Sequence, residues 1–270
     1  SYNQALYDDG EDSINRALSE SSAVFCAPGR WISDSVISSN SHIKLYQLWS
    51  SGYDKFNYQG CFKHRIKFNN NRGNNSTSVS EHAILLMLSA NRKIIEMDQR
   101  VRSGNWAGNC QGSEMFTLNG KTVAIIGAGN IGSKVAKLCK SFGMKVLLVD
   151  PIVNQSLIDI GCVYTNLDQA LRQADIATLH LHLNSSTTGL IDKSKLSLMK
   201  DNSTLINVSR YQLVASDCEE IILSKNIRVG FDVYPTEPTN GLELILNSPN
   251  SVFTPHTAGS TLDAIQSSIS

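Results

Sequence analysis

The sequence predicts an α/β protein built on a doubly wound parallel sheet, with a second, smaller α/β unit on its N-terminal side. Three observations predict it. Residues 120–150, GKTVAIIGAGNIGSKVAKLCKSFGMKVLLVD, read as strand, glycine turn, helix and second strand closed by an acid. Strand-like and helix-like stretches then alternate from 161 to 254, a pattern that builds parallel sheets. A shorter alternation of the same kind precedes residue 79.

Taken in order, residues 1–20 are polar with a weak helical period. Residues 22–27 (SAVFCA), 43–49 (IKLYQLW) and 65–68 (RIKF) read as strands, with a short helix over 32–37. Ser50, Ser51 and Gly52, and the polar run NNNRGNNSTS at 69–78, form the loops after those strands. A long helix is predicted over 79–103, opened by Ser78 or Ser80 as cap, with Glu81 in its first turn and Gly104 as its stop. Its first half, AILLMLSA, is apolar on nearly every side and must be covered on more than one face, by both domains or by a second subunit. It reads as a linker and a dimer contact.

Val123 to Ile126 form a short apolar run, as a strand buried on both faces requires. Gly127, Gly129 and Gly132 follow as G-x-G-x-x-G: the first allows a tight turn, the second lets backbone approach a pyrophosphate, and the third lets helix pack on strand. Ile131, Val135, Leu138, Cys139 and Phe142 recur at helical spacing, and Gly143 ends that helix. Asp150 closes the next strand, where an acid accepts hydrogen bonds from a ribose 2′-hydroxyl and repels a 2′-phosphate, favouring NAD over NADP. Beyond it come strands at 161–164, 176–181, 204–209, 227–233 and 251–254, and helices at 167–173, 193–199 and 217–224.

Composition removes several classes of function. Lys and Arg number 24, as do Asp and Glu, so the formal charge is zero; without a basic run, nucleic acid and anionic membrane are not expected partners. The six cysteines (Cys26, Cys61, Cys110, Cys139, Cys162, Cys218) are scattered and read as reduced thiols of a cytoplasmic protein, neither a disulfide framework nor a zinc site. No apolar run reaches the roughly 18 residues of a membrane span, and no signal-peptide pattern opens the chain. The start at Ser1 and the stop within a helical pattern read as a fragment or a trimmed chain.

In an open parallel sheet, ligands bind outside the carboxyl ends of the strands. Arg210 follows STLINVS, Glu237 follows VGFDVYPT and His256 follows SVFTP, placing a guanidinium, a carboxylate and an imidazole at equivalent strand ends. Singly they read as a surface ion pair, a Glu-Pro turn and a loop histidine. Together they suit reduction of a 2-keto acid. An imidazolium supplies the proton as hydride reaches the keto carbon, Glu237 favours the charged ring and fixes its orientation, and Arg210 presents a planar fork to the substrate carboxylate. An empty crevice, a methyltransferase holding S-adenosylmethionine, or a non-catalytic NAD-binding protein that dimerises on the same fold are the alternatives.

The segments SSGYD, NNSTSVSEHAILLML, GKTVAIIGAGNIG, ADIATLHLHL, LINVSR, GFDVYPTEP and TPHTAGST, in this order from about Trp49 to Thr261, resemble the D-isomer-specific 2-hydroxyacid dehydrogenase family. That family includes D-lactate and D-3-phosphoglycerate dehydrogenases and glyoxylate/hydroxypyruvate reductases. The resemblance implies a Rossmann cofactor domain (79–260, with the linker and dimer helix 79–103) and a smaller flavodoxin-like substrate domain (1–78, with 261–270 returning to it). It further implies a homodimer, NAD as cofactor, and a small 2-keto or 2-hydroxy acid as substrate, with glyoxylate or hydroxypyruvate preferred. It gives Arg210, Glu237 and His256 the catalytic roles just argued, and the backbone of Ser51 and Gly52 a hold on the substrate carboxylate. It places Asn130, Ile131, Val208, Asp232 and Gly259 against the cofactor, with Asp232 near the carboxamide and Thr77 near the nicotinamide end.

Two departures bear on loop shape. Tyr211 stands where a glycine usually follows the catalytic arginine, and the segment from there to Asp232 is slightly short. His182 replaces a common proline at the adenine side, making H-x-H with His180; no third metal ligand is in view.

Overall fold

The computed structural model describes residues 10–26, 31–106, 115–239, 243–246, 248 and 250–269. Residues 1–9, Ala27 and Cys110, on which expectations were placed, lie outside them. The chain divides into two compact units, Ser1–Asn75 with Ile265–Ser270, and Ser76–Ala264.

The smaller unit runs α1 (Glu11–Leu18), β1 (Ala23–Cys26), α2 (Asp34–Ser39), β2 (Leu45–Leu48), α3 (Tyr58–Lys63) and β3 (Lys67–Asn69). Its strands pair in parallel in the order β1-β2-β3. Helix α2 starts later than the apolar pattern suggests, because Ser33 accepts from Val36 N and so becomes the cap. Asn57 caps α3 in the same way through Gly60 N. Ile37, Tyr46, Leu48 and Cys61 form the buried centre, with Phe56 stacked on Phe68 at 5.2 Å. Asn74 Nδ2 donates to Ser267 O, tying the C-terminal stretch to this unit.

The larger unit continues with α4 (Ser76–Arg92), α5 (Ile94–Arg102), β4 (Thr122–Ile126), α6 (Asn130–Ser141), β5 (Lys145–Val149), α7 (Gln155–Asp159), β6 (Val163–Tyr164) and α8 (Leu167–Gln173). Next come β7 (Ile176–Leu179), α9 (Lys193–Leu198), β8 (Thr204–Asn207), α10 (Glu219–Ser224), β9 (Arg228–Phe231), α11 (Glu243–Leu246) and β10 (Val252–Phe253); the last helix, α12 (Leu262–Ile269), begins in this unit and from Ile265 belongs to the smaller one. Its seven strands are parallel in the order β10-β9-β8-β7-β4-β5-β6, so the winding reverses between β4 and β7. The period of two along β4 explains the double layer. Val123 and Ile125 join α4 and α6 on one face, while Ala124 and Ile126 join Leu171, Leu196 and Ile222 on the other.

The expected single helix over 79–103 is two helices. Asn91 ends α4: its Nδ2 donates to Met87 O and its Oδ1 accepts from Thr204 Oγ1 on β8, while Lys93 takes the left-handed conformation at φ 52. The expected caps also move inside the helix, which begins at Ser76. Ser78 Oγ donates to Ala258 O and Ser80 Oγ to Thr77 O. Helix α4 is covered by α6, β8 and β9 of its own unit, with Leu85 left 52% exposed.

Candidate active site

The glycine turn after β4 separates two uses of glycine. Gly127 adopts φ +96, and a Cβ there would stand 2.5 Å from His180 O; a Cβ on Gly132 would stand 1.9 Å from Gly127 O. The fold itself forbids side chains at both. At Gly129 a Cβ would meet nothing within 4 Å, and Gly129 caps α6 without a side-chain hydrogen bond to its first amides. The open space and the uncapped amides fit an anion such as a pyrophosphate. Asn130 is exposed and Ile131 half-buried at the start of this helix.

Asp150, at the end of β5, has a local task as well: Oδ2 accepts from Ala128 N at 2.7 Å and Oδ1 from Ile152 N at 2.8 Å. Each oxygen keeps a second lone pair for a ribose hydroxyl. Thr77, exposed in the first turn of α4, accepts from Lys134 Nζ of α6 at 3.0 Å. His180, at the end of β7, donates its backbone N–H to Ile126 O and pairs Nε2 with Thr178 Oγ1, while its Nδ1 is buried without a partner. Burial pushes this imidazole down to about 3. Among the described residues no group of three or more His, Cys, Asp or Glu could hold a metal ion.

Strands β8, β9 and β10 are neighbours, so the loops after them lie side by side at one edge of the sheet. The loop after β10 carries His256, at φ +55, and the loop after β9 carries Glu237. His256 Nδ1 meets Glu237 Oε2 at 2.8 Å, with the side chains 44% and 24% exposed. Glu237 Oε1 accepts from Tyr234 N, and Tyr234 Oη donates to Thr254 O, linking the two loops again. With Nδ1 directed to the carboxylate, Nε2 is the ring nitrogen left to exchange a proton.

Arg210, half-buried after β8, donates from Nη1 to Ser209 O, and its own carbonyl accepts from Asn207 Nδ2. Tyr211 turns its ring into the core, edge-on to Phe231, at the start of a short 3₁₀ turn over Tyr211–Leu213. A buried tyrosine is thus accommodated where the resemblance leads one to expect glycine. Val208 is buried and Gly259 half-buried. Ser51 and Gly52 belong to the smaller unit, where Ser51 O accepts from Asn70 Nδ2 and Gly52 O from Ser50 Oγ.

Sequence reasoning placed Asp232 near a carboxamide. In the structure its side chain is 1% exposed, and its carboxylate accepts from Thr254 Oγ1 (2.6 Å), Thr257 N (2.9 Å) and Ala258 N (2.8 Å). It anchors the His256 loop. Tyr234 and His82, which also touch this loop's network, were missed; an aromatic and a helical histidine carry no motif that would reveal them.

Residues 84–258 match the family model described as D-isomer specific 2-hydroxyacid dehydrogenase, NAD binding domain. The chain is 36% identical to the D-3-phosphoglycerate dehydrogenase of Archaeoglobus fulgidus over 85% of its own length, spanning 44% of that protein. It is 32% identical to the glyoxylate reductase of Thermococcus litoralis over 82% of its length and 69% of that protein. In three dimensions it resembles the D-lactate dehydrogenase of Aquifex aeolicus, solved with NAD and lactic acid, with a TM-score of 0.87 and 26% identity over 97% of this chain and 83% of that one. Among the described residues no helix is long and apolar enough to cross a membrane.

Proposed function

Because this chain belongs to the D-isomer-specific 2-hydroxyacid dehydrogenase family, an NAD-binding family of oxidoreductases, we propose that it interconverts a small D-2-hydroxy acid and its 2-keto partner. The observation that carries this reading is the 2.8 Å bond between His256 and Glu237 at the carboxyl edge of β9 and β10. NAD, when bound, supplies or accepts the hydride.

The chain's own residues do the rest. Glu237 orients His256 through Nδ1, so that Nε2 delivers a proton to the keto oxygen or removes one from the hydroxyl. Arg210 holds the substrate carboxylate with a planar pair of donors. Gly127, Gly129, Asn130, Ile131 and Gly132 surround the pyrophosphate, and Asp150 takes the adenosine ribose, excluding a 2′-phosphate. Val208, Gly259, Thr77 and the loop set by Asp232 border the nicotinamide end. In this reading the smaller unit, Ser1–Asn75 with Ile265–Ser270, is the substrate domain expected over 1–78, the larger one, Ser76–Ala264, is the NAD domain expected over 79–260, and the protein is cytoplasmic.

The same reading makes the protein a homodimer. Leu85, Ile94, Ile95 and Val101 expose large apolar side chains on α4 and α5, and Trp106 follows them at 81% exposed. Burying such side chains against a second copy is favourable.

A panel of glyoxylate, hydroxypyruvate and pyruvate, run with NADH and NADPH in parallel and followed by absorbance, tests the activity. NADH is consumed with at least one acid, and His256→Gln abolishes turnover while NADH still binds. Protein that binds NADH yet consumes none with any of the acids refutes the enzymatic reading.

A further inference from the structure

Helix α4 reaches the His256 loop at two points. Ser78 Oγ donates to Ala258 O at 2.6 Å, and His82 Nε2 lies 2.9 Å from Thr254 Oγ1. These residues are four apart, hence on one face of the helix, and they meet the loop on either side of His256. Between them sits the Asp232 carboxylate, which accepts from Thr254 Oγ1, Thr257 N and Ala258 N.

The hydrogen-bond roles in this cluster are fixed by counting protons. Thr254 has one hydroxyl proton, and it points to Asp232 Oδ1 at 2.6 Å. His82 must therefore donate from Nε2, so its ring carries a proton there. His82 Nε2 also lies 3.7 Å from Asp232 Oδ1, with side chains 14% and 1% exposed, so this end of the chain of bonds is sheltered from water. A partly buried network in which each of these donors has its acceptor favours one geometry.

That geometry is one the loop would not adopt unaided. His256 is a non-glycine residue at φ +55, a conformation that persists where the surroundings over-determine it. His256 N donates to Thr254 O, and Tyr234 Oη donates to the same carbonyl, so the turn is built on Thr254. His82 acts on the residue from which the loop turns.

We propose that His82 is a positioning residue for His256: through Thr254 and Asp232 it sets the ring that Glu237 then orients. The proposal rests on the acid/base role given to His256 above. It predicts an effect on the proton-transfer step and not on cofactor binding.

The test compares His82→Ala with His82→Gln, whose terminal amide can donate from the place of Nε2. In His82→Ala, kcat for the best keto acid falls at least about tenfold, while the NADH Kd stays within about threefold of wild type. His82→Gln recovers most of the loss. In ¹⁵N-histidine-labelled protein, the ring resonances of His256, identified by their disappearance in His256→Gln, shift in His82→Ala and return in His82→Gln. If His82→Ala does not fold, Thr254→Ser against Thr254→Val makes the same comparison, with serine retaining turnover and valine losing it.

Unchanged kcat and unmoved His256 resonances overturn the proposal, as does a loss that falls equally on NADH affinity and is not rescued by glutamine. Wild-type protein without turnover whose His256 resonances still answer to His82→Ala removes the proposed function and leaves the coupling standing.

Discussion

Gly129→Ala separates what the fold needs from what a ligand needs. Gly129 lies at φ −71, ψ −152, which alanine adopts freely, and the added methyl meets no protein atom within 4 Å. The folding cost is therefore limited to a poorer helix cap, under about 1 kcal/mol. For a pyrophosphate on the α6 amides the methyl lies in the path. Losing one charge-assisted hydrogen bond costs roughly 1.5–3 kcal/mol, which is about 10- to 150-fold in Kd. NADH fluorescence titration and urea unfolding on the same preparations read the two quantities separately. Gly132→Ala is the contrast: its Cβ would lie 1.9 Å from Gly127 O, so backbone must move and both stability and binding fall. A Gly129→Ala protein that binds NADH within about threefold of wild type refutes the assignment of that space to a cofactor.

Asp150→Asn keeps a side-chain acceptor for the turn but removes the charge that repels a 2′-phosphate; the ratio of kcat/KM with NADPH to that with NADH rises about tenfold or more. His180 makes stability acid-sensitive. Its folded value near 3 lies below the ordinary 6.5, so the unfolded chain takes up the proton first. Stability is full above 6.5 and drains as the pH falls from there towards 3, by at most about 1.4 kcal/mol per pH unit. Urea unfolding at pH 7 and pH 5 thus shows a smaller acid loss in His180→Gln than in wild type, the difference reaching at most about 2 kcal/mol; equal losses refute it. Asn91→Ala strands the buried Thr204 hydroxyl and costs about 1–3 kcal/mol in urea unfolding.

What could be read from the chain was what local pattern determines. The strand at Lys145–Val149 and the helix at Leu167–Gln173 fall where their apolar spacing puts them, because Gly143 stops one helix and Asn166 caps the other. Helix α7 was missed, since five residues hold too little period to stand out and its signal is the Asn154 cap. The break at Lys93 was unreadable for a different reason: it follows the bond between Asn91 and Thr204, residues 113 apart in sequence. The site divides in the same way. Arg210, Glu237 and His256 stand out because each follows an apolar strand, whereas Asp232 stands inside such a run and shows its partners only once residues 254–258 have folded back upon it.

The chemistry of that last contact explains why position 232 carries an acid. Three donors converge on it: the Thr254 hydroxyl and the amides of Thr257 and Ala258, shared between two oxygens. Asparagine offers one oxygen and would turn an NH₂ against a donor, leaving a buried group unsatisfied. The carboxylate is therefore required by the loop, and the loop carries His256. A carboxylate sheltered from solvent thus serves the proposed reaction by geometry: it closes the turn that brings one ring nitrogen of His256 to Glu237. In the proposed reaction the exposed pair does the proton chemistry, and the buried acid decides where that pair stands.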